Sequence, residues 1–132
     1  MKLIIVDDNS EFRDNLRFFL EQKLNHIVIA EAASGEEFLA LNETIIREAD
    51  IILMDIMMDK LSGVETTKRI TWIHFNLKII AVTMHIEKVF LDQIIEAGFK
   101  GFVLKTNIFN TLDKTLNDVY YGKLHIDETL IN

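Results

Sequence analysis

Asp55 closes an apolar run, Ile51-Ile52-Leu53-Met54, and three other apolar runs end in groups of complementary chemistry. Leu3-Ile4-Ile5-Val6 leads into Asp7-Asp8, Ile79-Ile80-Ala81-Val82 into Thr83, and Phe102-Val103-Leu104 into Lys105. Three carboxylates, a hydroxyl and an ammonium in equivalent places suit a divalent cation and a phosphoryl group. Hard cations such as Mg²⁺ take carboxylate oxygens, and ammonium and hydroxyl groups pair with phosphoryl oxygens. Without a cation the gathered carboxylates would repel one another, and at least one would hold its proton more tightly. A purely structural role gives no reason to accept that penalty.

These side chains meet only if the four runs are neighbouring strands. Short apolar runs separated by helix-length amphipathic segments read as parallel strands with crossover helices. In such sheets the ligand site lies outside the carboxyl ends of the strands. The first strand is expected at about Lys2 to Val6, followed by a helix opening near Asn9 or Ser10 with the stripe Phe12, Leu16, Phe19 and Leu20. Ile27-Val28-Ile29 reads as the second strand. Ser34-Gly35-Glu36-Glu37 matches a capping box and opens a second helix carrying Phe38, Leu41, Ile45 and Ile46. The third strand is Ile51 to Met54, and Ser62-Gly63-Val64-Glu65 is a further capping-box match.

The fourth strand covers roughly Lys78 to Val82 and the fifth Gly101 to Leu104. Between them a helix from about Glu87 to Ala97 ends at Gly98, a natural residue after a helix. The last helix runs from about Asn107 to Tyr121, with Ile108, Leu112, Leu116 and Val119 on one face and Gly122 at its end. The fold class is therefore α/β. Right-handed crossovers give a doubly wound, five-stranded parallel sheet with five helices, in the flavodoxin-like order 2-1-3-4-5.

Composition narrows the function classes. The 132 residues fit one domain with a real core. A net charge of -7 argues against a nucleic-acid surface on this chain, since backbone binding needs clustered Lys and Arg. With no cysteine there is no disulfide framework, thiolate metal site or thiol nucleophile. The N-terminal apolar run meets Asp7-Asp8 too soon for a signal peptide, and no run approaches membrane-spanning length. A cytoplasmic location is expected, with no membrane contact.

Taken together, Asp7-Asp8, Asp55-(x2)-Met58, Thr83 and Gly101-Phe102-(x2)-Lys105 make the chain resemble the receiver domain of two-component response regulators. The segment Glu96 to Lys105 is similar to that of receivers preceding helix-turn-helix output domains. The resemblance covers about Lys2 to Tyr121 and implies a receiver over 1–122, with 123–132 a tail or the start of a linker. It implies that Asp55 accepts a phosphoryl group from a sensor histidine kinase or phosphotransfer protein. Mg²⁺ would be held by Asp8 and Asp55, by Asp7 through water and by the backbone carbonyl of Met57. Lys105 would pair with a phosphoryl oxygen, and Thr83 would donate to another. Thr83 and Phe102 occupy the positions of the family's switch pair. Phe102 has no phenol oxygen, so no hydroxyl hydrogen bond favours an outward rotamer, and a buried ring is expected.

Three positions depart from the family pattern. Met84 stands where most members carry a small residue, and its thioether could narrow access to Asp55. Asp59 and Thr106 replace prolines, and Thr106 follows a bond often cis in the family. A cis bond before a non-proline residue costs about 3–4 kcal/mol, so a trans bond with a reshaped loop is one outcome and tolerated strain the other. Met57 and His85 flank the site, where family side chains tune the phosphoryl lifetime. His26, His74 and His125 lack metal-ligand spacing. Val89, Phe90, Leu91, Phe109 and Tyr120, on the fourth and fifth helices, lie beyond a single core stripe. With the fifth strand they form the face that receivers use for dimers or output contacts.

The resemblance describes a switch rather than an enzyme. Two outputs compete within it: transcription control through a DNA-binding domain, or a stand-alone receiver in chemotaxis or a phosphorelay. A phosphatase of the haloacid dehalogenase type would want a second Asp two residues after the nucleophile, where this chain has Met57. The full set of site residues argues against a pseudo-receiver that works without phosphorylation, while Met84 and Asp59 keep that alternative open. A flavin site conflicts with the acidic turn at Asp7-Asp8, which would repel a phosphate.

Overall fold

Strands apolar on both faces need cover from two sides, and the helices of this chain provide it. The computed structural model describes residues 1–84 and 88–126. Strands β1 (Lys2–Val6), β2 (Ile27–Ala32), β3 (Ile51–Asp55), β4 (Ile79–Thr83) and β5 (Gly101–Leu104) form a parallel sheet in the order β2-β1-β3-β4-β5. A two-residue strand β6 (His125–Ile126) extends the sheet beyond β5. It lies in the segment read from sequence as a tail, where two residues are too few to carry a strand signal.

Helix α1 (Ser10–Phe18) opens on the Asn9 side chain, which accepts from the Phe12 N–H at 3.0 Å, and continues through a π-helical turn at Phe19–Lys23. Its Leu16 and Leu20 pack with Leu112, Leu116 and Val119 of α6 (Ile108–Tyr120) against Leu3, Ile5, Leu53 and Val82. The other layer joins Phe38, Ile46, Ile70 and Ile94 to Ile4, Val6, Ile52 and Met54. Adjacent strand residues thus serve opposite layers, as the two-residue period of a strand requires.

The single helix expected after Ser34 is two. Ser34 caps α2 (Gly35–Leu39), accepting from Glu37 N–H at 3.0 Å. Asn42 then caps a new helix, α3 (Glu43–Glu48), by accepting from Thr44 N–H at 2.8 Å. An Asn side chain offers the backbone an alternative to the continuing helix, while Phe38 and Ile46 stay buried on one face. With α4 (Gly63–Ile73) and α5 (Lys88–Ala97) this gives six α-helices among the described residues instead of five.

Gly98 and Gly122 follow α5 and α6 at φ +111° and +85°, the left-handed caps expected of them. Among the described residues no peptide bond is cis. Lys105–Asn107 forms a 3₁₀ turn leading into α6, and the Lys105-Thr106 bond is trans. His85, Glu87 and the Val89 side chain lie outside what is described. Phe90 and Phe109 are both exposed, and the Phe109 ring also meets Phe19 beyond α1's end, with centroids 5.0 Å apart. Tyr120 meets Tyr121 and Lys78.

Candidate functional site

Parallel register brings the chemistry together. Val6 pairs with Met54 and Val82 with Asp55, so Asp7, Asp55 and Thr83 leave adjacent strands at one edge. Thr83 pairs with Leu104, which places Lys105 one residue beyond it. Asp7, Asp55 and Thr83 are buried, whereas Asp8 is exposed. The Lys105 ammonium reaches Asp7 Oδ2 at 2.7 Å and Asp55 Oδ2 at 3.6 Å.

The loops after the strands are tied back to the same carboxylates. Asn9 N–H donates to Asp7 Oδ1 at 2.8 Å, and Met57 N–H donates to Asp55 Oδ1 at 3.0 Å. The α4 N-terminus comes so close to the end of β3 that a Cβ on Gly63 would lie 2.1 Å from the Asp55 carbonyl oxygen. Ser62 accepts from Glu65 N–H at 3.1 Å and fixes that approach.

Burial pushes the Asp55 carboxyl up to about 6, and the neighbouring Asp7 charge adds to it. The Met57 N–H and the Lys105 ammonium act the other way, and Asp8 raises it further. The repulsion foreseen from the sequence thus adds to the larger effect of burial at Asp55.

Asp7, Asp8 and Asp55 can each offer a carboxylate oxygen such that all three lie within 4.8 Å of one another. Around a small octahedral cation with bonds of about 2.1 Å, oxygen ligands stand about 3–4 Å apart, so the donor set and its spacing fit a hard divalent ion. The raised Asp55 carboxyl fits it equally, because Lys105 alone does not neutralise three carboxylates.

Thr83 and Phe102, expected as a switch pair, lie on neighbouring strands. Thr83 ends β4, and Phe102 is buried within β5, near Phe99. Met57, Met84 and Asp59 are exposed. Two neighbours were not foreseen. The Phe12 ring centroid lies 4.4 Å from Lys105 Nζ. Arg13 donates from Nη1 to the Asp7 carbonyl oxygen and lies 3.3 Å from Glu31. In sequence Phe12 is a core-stripe residue and Arg13 an ordinary helix cation, and nothing local marks either as a neighbour of the site. A groove of about 460 Å³ lies at the opposite end of the strands, between Asp50, His74, Lys78 and Tyr120, away from these carboxylates.

A doubly wound parallel sheet with a buried aspartate, two further carboxylates, a threonine and a lysine at its carboxyl edge has the flavodoxin-like architecture of a receiver domain. The chain belongs to the response regulator receiver domain family, whose model matches residues 3–117. It is 32% identical over 130 residues to the transcriptional regulatory protein YdfI of Bacillus subtilis (strain 168), spanning 98% of this chain but only 60% of that protein. Among solved structures, a LuxR-family two-component response regulator from Aurantimonas sp. SI85-9A1 superposes with a TM-score of 0.87 at 26% identity, covering 98% of this chain and 91% of that one. The isolated REC domain of RcsB from Salmonella enterica serovar Typhimurium, solved with the phosphomimetic BeF3-, gives a TM-score of 0.84 at 27% identity, covering 99% and 96%.

Proposed function

We propose that the chain is the phosphorylation-dependent switch of a two-component system, with Asp55 as phosphoacceptor. The observation that carries this is the buried Asp55 carboxylate flanked by Asp7, Asp8 and the Lys105 ammonium. In the reaction an Asp55 oxygen forms a bond to phosphorus as the N–P bond of a partner's phosphohistidine breaks. The products are an acyl phosphate and the partner's free imidazole. The donor is a sensor histidine kinase or a phosphotransfer protein.

A carboxylate attacking a phosphoryl group brings like charges together, so positioning and neutralisation do most of the work. Asp7, Asp8, Asp55 and the Met57 carbonyl would hold Mg²⁺, which would neutralise charge on both reacting groups when bound. Lys105 favours the ionised, nucleophilic form of Asp55 and is placed to meet a phosphoryl oxygen. The hydrogen bond from Met57 N–H fixes one Asp55 oxygen and leaves the other for attack. Thr83 would donate to the bound phosphoryl group, and Phe102 would follow its movement.

Residues 1–122 would form the receiver, and 123–132 would lead toward an output domain. Transcription control is the favoured output, because the relative that the chain matches over 60% of its length is named a transcriptional regulatory protein. The face of α5, β5 and α6 would carry the signal and offer a surface for a homodimer, with Phe90 exposed on α5. Among the described residues no helix is long and apolar enough to cross a membrane, which accords with a cytoplasmic switch. Intact mass after incubation with phosphoramidate tests the reading. One phosphoryl gain that needs Mg²⁺ and is absent in Asp55→Asn is expected, and no gain in the wild type overturns it.

A further inference from the structure

We propose that Phe12 is a positioning residue for Lys105, holding the ammonium over its ring face so that it stays aimed at the site while its carboxylate partners change charge. The kinetic consequence rests on the receiver reading above; the contact itself does not. The Lys105 side chain is 13% exposed, so its ammonium has little water to lean on. Its neighbours are Asp7 at 2.7 Å, Asp55 at 3.6 Å and the Phe12 ring centroid at 4.4 Å. A cation within about 6 Å of an aromatic centroid is attracted by the ring's negative face.

The three supports differ in kind. Asp55 loses an anionic oxygen when it becomes an acyl phosphate, and Asp7 shares its charge with any bound cation. The attraction of the ring depends on neither event. An aliphatic side chain of similar size would fill the space but offer the ammonium nothing in place of water.

Phe12 is well fixed for this role. Its own N–H is held by the Asn9 carboxamide at 3.0 Å, and the Asn9 N–H holds Asp7 at 2.8 Å. The ring also packs against the layer that contains Leu16 and Leu20. One helical turn thus sets the ring, the Asp7 carboxylate and, through both, the lysine.

The test compares wild type, Phe12→Leu and Phe12→Tyr, with Phe12→Met in reserve should the leucine variant lose its fold. Three quantities are read: the phosphoramidate phosphorylation rate, the Mg²⁺ dissociation constant, and the NMR shifts of the Lys105 ε-methylene protons. The expected result is a rate about five-fold lower in the aliphatic variants, the size of a moderate cation–π contact. Mg²⁺ affinity should hold, and ring-shifted lysine protons should return to ordinary positions. Phe12→Tyr should keep the wild-type rate and shifts. An unchanged rate in Phe12→Leu, or an equal fall in Phe12→Tyr, overturns the proposal, as do ordinary lysine shifts in the wild type. A wild type that takes no phosphoryl group removes the functional reading instead, and the lysine shifts then decide the contact alone.

Discussion

The Lys105 ammonium sits closer to Asp7, at 2.7 Å, than to Asp55, at 3.6 Å. The more intimate pair is with a carboxylate that is not the proposed phosphoacceptor. Asp55 is left less tightly paired while still feeling the positive charge. Lys105→Met should therefore do two separable things. With EDTA at neutral pH it should destabilise the fold by about 1–3 kcal/mol, because buried carboxylates lose their counter-charge. It should also slow phosphorylation roughly 10²-fold, the usual effect of removing one charge-stabilising donor. Urea melts and phosphorylation rates with saturating Mg²⁺ measure the two effects.

Asp55 contributes a pH dependence of known sign. Its carboxyl is raised from 3.8 to about 6 on folding, so the native state binds the proton more tightly than the unfolded chain. The resulting stabilisation is fully present below the unfolded value and is lost as pH rises through the folded one. In metal-free buffer the wild type should lose stability relative to Asp55→Asn between about pH 4 and pH 7. At pH 7.5 the Asn variant should be the more stable by about 1–2 kcal/mol. Parallel denaturant melts of both proteins across that range check this, and a constant difference would contradict it.

Metal should reverse that ranking. A ligand bound only by the folded state stabilises it by about 2.7 kcal/mol at one hundred times its dissociation constant. Saturating Mg²⁺ should raise the melting temperature of the wild type, with little effect on Asp8→Ala, whose exposed carboxylate belongs to the cluster. Removing the ion with EDTA should return the wild type to its starting value. Thermal melts of both proteins with and without Mg²⁺ would show it.

Gly63 is the steric hinge of the site. An added Cβ would stand 2.1 Å from the Asp55 carbonyl oxygen and 2.7 Å from the Ile56 Cα, both backbone atoms. Neither can move without displacing Asp55 or the α4 N-terminus. Gly63→Ala should destabilise by more than about 3 kcal/mol, far beyond an ordinary surface change. It should also impair phosphorylation in any folded fraction. Circular dichroism melts give the first effect and phosphorylation of the folded fraction the second.

The strands and the site could be read from the sequence because both follow local rules. Unbroken apolar runs mark strands buried on two faces, and parallel pairing then brings Asp7, Asp55, Thr83 and Lys105 to one edge. Ser34 and Ser62 announced their helices through capping chemistry. What escaped was decided by competition or distance. Phe38, Leu41, Ile45 and Ile46 keep a helical period across the break, so periodicity could not show that Asn42 starts a new helix. Phe12 and Lys105 are separated by most of the chain, and their contact exists only after the sheet is assembled. The contact of Phe109 with Phe19 was hidden for the same reason, since its partner comes from another helix.

The most direct test of the central claim is to locate the phosphoryl group chemically. After phosphorylation with phosphoramidate and Mg²⁺, borohydride reduces an aspartyl phosphate to homoserine, which peptide mass spectrometry can place. Reduction at position 55 alone is the result expected here. Trapping at Asp7 or Asp8, or a phosphoryl group that survives borohydride on another residue, would contradict Asp55 as the acceptor.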